Sequence, residues 1–193
     1  MSRLRRINWG LVTTSLVVAA VLGSIVYQQI TQRREQPAII EVSQDYAIAL
    51  LNVTVAPAEL HEAYDPEAAD PEAQLRSTDI WDERRQAVAE ELRPWFADDT
   101  YLGYRMKRLE NAWVTQILDG ADPEAGEFTI DETWNERFAF VDDFVTLDAQ
   151  WVFSASELKD FGWSYETQFQ LQKTNGNWRV ISDSVELMMG GNY

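Results

Sequence analysis

The chain has 193 residues, no cysteine, one histidine, and 32 acidic against 16 basic side chains, for a formal charge of −16. Such a chain is repelled by nucleic acid and by anionic lipid surfaces, and one imidazole without thiols leaves too few ligands for a Cys/His metal centre. The charge is unevenly placed: all the acids but only 11 of the bases lie after residue 34, so that part alone carries −21.

From Ile7 to Gln32 there is no charged side chain, and the stretch is bracketed by Arg3, Arg5 and Arg6 before it and by Arg33 and Arg34 after it. Its apolar centre, Trp9 to Tyr27, has the ~20 residues a helix needs to cross a ~30 Å hydrocarbon layer, where every peptide group must be satisfied within the segment. Trp9 and Tyr27 fall where an interfacial aromatic belt would place them. A cleaved signal peptide is the rival, but its apolar core is usually shorter and Val21-Leu22-Gly23 is a poor small-residue cleavage site. The sequence therefore predicts a cytoplasmic tail at 1–6, a transmembrane anchor at 7–32, a juxtamembrane linker at 33–38 and a domain at 39–193. The larger arginine cluster before the span puts the amino end in the cytoplasm and the domain outside, periplasmic or extracellular, which the lack of cysteine also fits.

Pro37 is expected to end or kink the anchor helix. Ile39, Val42, Tyr46, Ala49 or Leu50, and Val53 then recur at helical spacing, which predicts an amphipathic helix over 39–54. An acidic, proline-containing connector follows at 56–73. In it Asp65-Pro66-Glu67-Ala68 and Asp70-Pro71-Glu72-Ala73 repeat one phrase that returns at Asp122-Pro123-Glu124-Ala125. Aspartate caps, proline suits the first helical position and glutamate suits the positive dipole end, so the phrase reads as caps and turns. His61 lies in this connector and is expected to be a solvated loop side chain. Trp81, Val88, Leu92 and Trp95 form the next stripe, closed by Pro94. Asp98-Asp99-Thr100 caps a further helix with the stripe Leu102, Met106, Leu109, Trp113 and Ile117, stopping near Gly120. Arg105, Lys107 and Arg108 are read as a basic cluster off that stripe: a solvated face, or a docking point for an acidic partner.

After Gly126 the period falls from about 3.6 to 2. Phe128 with Ile130, and Phe138 with Phe140, read as short alternating fragments. Val145, Leu147, Ala149, Trp151 and Phe153 alternate with Thr146, Asp148, Gln150 and Ser154 in a long strand. Tyr165, Thr167, Phe169 and Leu171 alternate with Glu166, Gln168, Gln170 and Gln172 in the next. Asn175-Gly176 predicts a tight hairpin returning along Trp178 to Leu187. The fold class is therefore α+β, with about three helices covering one face of an antiparallel meander.

Leu171-Gln172-Lys173-Thr174-Asn175-Gly176-Asn177-Trp178-Arg179-Val180, closing a run of helices and long strands, resembles the NTF2-like, or cystatin-like, superfamily. That resemblance implies a cone of helices on a curved antiparallel sheet over about residues 39–187. With one span ahead of it, the layout is similar to the VirB8-like and TcpC-like subunits of secretion and conjugation systems and to Mce-associated membrane proteins. It implies a non-catalytic envelope protein whose outward domain is a protein-interaction or assembly subunit, with the bilayer and other envelope proteins as partners, no nucleic acid, no cofactor, and self-association left open.

Two alternatives stand beside it. Tyr101, Tyr104, Trp113, Trp134, Trp151 and Trp163 could line a ligand or enzymatic cavity with Asp142 and Asp143, although aromatics on a sheet face under helices are ordinary core and an Asp-Asp pair is ordinarily a turn. An acidic immunity or exclusion factor that masks a basic partner is the other. The stretch Asp119 to Glu127 resembles a calcium loop, but Ala121 and Pro123 stand where ligands are required.

Overall fold

The computed structural model describes residues 9–120, 128–155 and 163–185, with side chains from Thr13 onward except those of 155 and 163–165. The acidic phrase at 122–125 and most of the calcium-like stretch lie outside the described residues. The chain divides into two units at Pro37. In the first, the helix that opens at Trp9 exposes Leu16, Val17, Leu22, Ile25, Val26, Tyr27 and Ile30, and it is long and apolar enough to cross a membrane.

That helix, α1, is assigned continuously over Trp9–Asn52, so Pro37 does not end it. A proline inside a helix costs about 3 kcal/mol, through one lost hydrogen bond and a clash with the preceding turn. Beyond it Ile39, Tyr46, Ala47 and Leu50 are all completely buried. At roughly 1.5–3 kcal/mol for each large apolar side chain, that burial outweighs the local penalty.

The second unit continues with short helices α2 (Ala58–Ala63) and α3 (Pro71–Arg76), then α4 (Asp79–Leu92), a 3-10 turn at Arg93–Trp95 and α5 (Asp99–Leu118). The two tandem acidic phrases do different work. Asp70 accepts from the Ala73 amide at 3.0 Å and starts α3, with Pro71 in the first turn and Leu75 buried behind it. Asp65 instead accepts from Glu67 N at 3.0 Å in a turn, with exposed Ala69 and Asp70 following rather than an apolar anchor. His61 is on α2, not in a loop: it is half-buried, and its Nε2 has no partner among the described residues.

α4 starts on Thr78, whose hydroxyl accepts from Trp81 N, and gives way to the 3-10 turn at Pro94. α5 starts on Asp98, which accepts from the Thr100 and Tyr101 amides, and Gly120 follows it at φ +68°. Its expected stripe is buried throughout, joined by Val114, Gln116 and Arg105. Gln116 ties α5 to the chain leaving α1: its amide donates to Thr54 O and accepts from Ala56 N, both at 2.9 Å, and Trp113 Nε1 donates to Val53 O at 2.9 Å.

Four antiparallel strands, β1 (Phe128–Val141), β2 (Phe144–Ala155), β3 (Trp163–Thr174) and β4 (Asn177–Asp183), form a meander in chain order. The fragments expected around Phe128 and Phe138 are one strand, interrupted by register shifts between Ile130 and Glu132 and between Trp134 and Arg137. Asn135, at φ +56°, lies in the second, and such bulges hide a strand's alternation from a period-2 reading. Asn175 and Gly176, both at positive φ, turn β3 into β4 as expected. Val145, Leu147, Ala149, Trp151, Phe153, Phe169 and Leu171 face the helices and share one core with Tyr46, Leu109 and Trp113.

Candidate functional site

Two polar arrangements stand out, one inside the second unit and one on the open face of its sheet. The inner one depends on a bulge in β4. Leu171 pairs with Val180 but Gln170 pairs with Ser182, so Ile181 is an extra residue. Alternation from Trp178 and Val180 would send Ser182 inward. The extra residue reverses the parity and places Asp183 opposite Phe169 on the core side instead.

There Asp183 meets Arg105, and both side chains are fully buried. Arg105 Nε donates to Asp183 Oδ2 at 2.9 Å, and Nη2 reaches Oδ1 as well as Val185 O, the latter at 3.0 Å. The Tyr46 hydroxyl donates to Oδ2 at 2.7 Å, and Val185 N donates to Oδ1 at 3.0 Å. The Tyr101 hydroxyl accepts from Asp183 N at 2.9 Å and donates toward the same residue's carbonyl and carboxylate oxygens. Burial pushes both phenols above the usual tyrosine range, the Arg105 charge opposing it in part, so both stay protonated as donors. A carboxylate engaged by a forked guanidinium, a phenol and an amide is held as an anion and is committed to structure: it ties α1, α5 and β4 together.

The sequence-predicted site residues are scattered relative to this cluster. Tyr101 belongs to it, and Tyr104 stacks on Tyr101 at 5.7 Å with its ring largely exposed. Arg105 is 0% exposed, so it leaves the expected basic cluster, in which only Lys107 and Arg108 are on the surface. Trp113 and Trp151 are also fully buried. Trp113 meets Trp81 edge-on at 6.0 Å, Trp151 stacks on Phe169 at 4.9 Å, and both therefore act as core filling. Asp142 and Asp143 make the exposed two-residue turn between β1 and β2, with Asp142 at φ +53°. Trp134 is 45% exposed on the other face of the sheet. The backbone of Trp163 opens β3, but its side chain lies outside the described residues.

The open face of the sheet carries the second arrangement. Asn135 Nδ2 donates to Gln150 Oε1 at 2.6 Å, Gln150 Nε2 to Glu166 Oε1 at 3.3 Å, and Gln168 Nε2 to Asp148 Oδ1 at 2.8 Å. These side chains, with Arg137 and Ser184, line a cleft of about 440 Å³. A larger groove of about 640 Å³ lies between α4 and α5, with Leu102, Gly103, Met106 and Ala89 among its lining residues and Arg85, Arg93 and Asp99 beside them. Among the described residues there is no group of three or more His, Cys, Asp or Glu side chains placed to hold a metal ion. Comparison of the chain with protein-family models, with curated proteins and with solved structures gives no match.

Proposed function

We propose that this is a non-catalytic single-pass membrane protein whose acidic α+β unit, of NTF2-like type, stands outside the cytoplasm as an assembly subunit of an envelope complex. The observation that carries the reading is the contrast between the two units. Leu16 to Ile30 leave their apolar side chains uncovered, whereas the unit after Pro37 buries Trp113, Trp151, Phe153 and Phe169 completely. Uncovered aliphatic side chains over that length are stable in lipid and costly in water, which supports a bilayer as their partner. The filled core supports a unit that works through its surface rather than through an internal pocket.

The contact we assign is the exposed face of α5 that carries Tyr104, Lys107 and Arg108, three and four residues apart. Tyrosine and arginine are the residue types that most often dominate binding energy, and two cations that make no ion pair among the described residues of an acidic unit favour an acidic partner. A photo-crosslinking amino acid at position 107 of the full chain, expressed in its native membrane, tests this. A discrete protein adduct is expected, lost in Tyr104→Ala/Arg108→Glu. Adducts to lipid alone, or a protein adduct indifferent to those changes, would refute the assignment.

A further inference from the structure

We propose that the cleft on the open face of the sheet binds a neutral, hydroxyl-rich ligand, a short stretch of glycan, with Trp134 as its stacking surface. This stands on the geometry of β1, β2 and β3 and does not rest on the assembly reading above.

The first observation is the order of the polar groups. Hydrogen-bonded rows run from Asn135 to Gln150 to Glu166 and from Gln168 to Asp148, joining acceptor-only carboxylates to side-chain amides that both donate and accept, and Ser184 is among the other lining residues. Each amide is held by a neighbour: Asn135 on Gln150, Gln150 on Glu166, Gln168 on Asp148. These side-chain hydrogen bonds favour one arrangement of the amides before any ligand arrives, which lowers the entropy lost on binding. A carboxylate offers about four lone-pair sites, so Asp148 and Glu166 retain acceptors beyond the amide each already satisfies. Sugar hydroxyls, each a donor and an acceptor, match that mixture.

The second observation is Trp134. It pairs directly with Gln150, so the two side chains share the open face, and it leaves 45% of its surface exposed among charged and amide neighbours. A half-exposed indole loses hydration cost when an apolar face covers it, and the C–H face of a pyranose is such a surface while its edge remains polar. The bulge after Trp134, with Asn135 at φ +56°, brings consecutive side chains to one face, Trp134 paired with the lining residue Gln150 and the Asn135 amide in the lining itself.

The third observation is charge. Two carboxylates sit in the cleft of a strongly acidic unit, which opposes an anionic ligand. Arg137 lines the same cleft, and among the described residues it makes no ion pair, which opposes a free cation. The volume of about 440 Å³ lies within the ~300–1,000 Å³ usual for small-ligand sites. A peptide partner would call for large apolar anchors, and Ala149 is the one apolar residue in the lining.

The test uses the full chain in lipid nanodiscs, since a glycoside detergent would compete. Chitotetraose, cellotetraose and maltotetraose are titrated, with a sulfated oligosaccharide as the anionic probe, while the tryptophan indole N–H resonances are followed by NMR. At least one neutral probe is expected to shift the Trp134 indole saturably. Trp134→Ala and Gln150→Ala should each weaken it by about tenfold, the loss of one stacking contact or one hydrogen-bonding amide, and Trp134→Phe should retain most of the affinity. Val141→Ser, at the hairpin end of the same sheet, should leave it unchanged. No saturable shift with any neutral probe up to ~10 mM, stronger binding of the sulfated probe, or affinity that survives both alanine variants would overturn the proposal.

Discussion

Replacing Arg105 by methionine keeps the side chain's length and removes its charge, leaving Asp183 buried with only Tyr46, Tyr101 and Val185 N to solvate it. Removing one partner of a buried ion pair typically costs about 3–5 kcal/mol, because the other charge is stranded. The upper half of that range is expected here, since both side chains are fully buried and Arg105 also supplies the Val185 carbonyl. Asp183→Leu should cost a comparable amount by stranding the guanidinium. The double variant is the informative one: an apolar pair of similar volume is often neutral or better, so it should recover most of either loss. The assay is urea unfolding of the full chain in micelles, followed by near-ultraviolet circular dichroism, with the four proteins forming one thermodynamic cycle. Single losses below about 1 kcal/mol, or losses that simply add in the double variant, would refute the claim that this pair is buried and coupled.

Three further outcomes follow from other parts of the molecule. Tyr46 has a folded-state pKa above the ordinary tyrosine value, mainly through burial, so its contribution is fully present below pH ~10 and is lost as the pH rises beyond that; Tyr46→Phe should flatten the alkaline fall in stability, measured by urea midpoints across that window. Val18→Arg places a charge costing about 2.5–3.5 kcal/mol at the centre of the apolar segment and should move the protein out of the carbonate-resistant membrane pellet, whereas unchanged fractionation would count against the span. Gly176→Ala meets no atom within 4 Å but must hold φ near +85°, so a loss of about 1–2 kcal/mol in the urea midpoint is expected from backbone strain alone.

Periodicity made the helices and the meander legible, because Leu102, Met106, Leu109, Trp113 and Ile117 face one core and Asn175-Gly176 can turn in few other ways. The same periodicity also carried a sign that a charge-based reading passes over. Arg105 stands three residues after Leu102 and four before Leu109, within the apolar stripe, and Gln116 stands beside Ile117 in the same manner. A polar side chain at such a position is a buried group in search of a partner, whatever charged residues adjoin it. The partner itself was not legible. Asp183 turns inward only because Ile181 is extra, and that depends on how β3 and β4 pair, not on the order of residues in β4. Pro37 misled for the converse reason: a local rule about one peptide group was outweighed by side chains buried further along. The cleft lined by Asn135 and Arg137 was hidden by a bulge that makes β1 read as two fragments.

The bulge in β4 makes the way that strand pairs, more than its composition, a constraint on descent. Pairing β4 with β3 without the bulge would change no residue, yet it would set Ser182 opposite Phe169 and deliver its hydroxyl to a guanidinium that needs an anion; loss of Ile181 itself would leave Ser182 opposite Gln170 and Asp183 opposite Phe169. Lineages of this protein should therefore tolerate insertions and deletions between α2 and α3, where the turn at Asp65 is solvent-facing, and can lose the bulged residue at 181, while keeping an acid opposite Phe169 even as other residues of β4 drift.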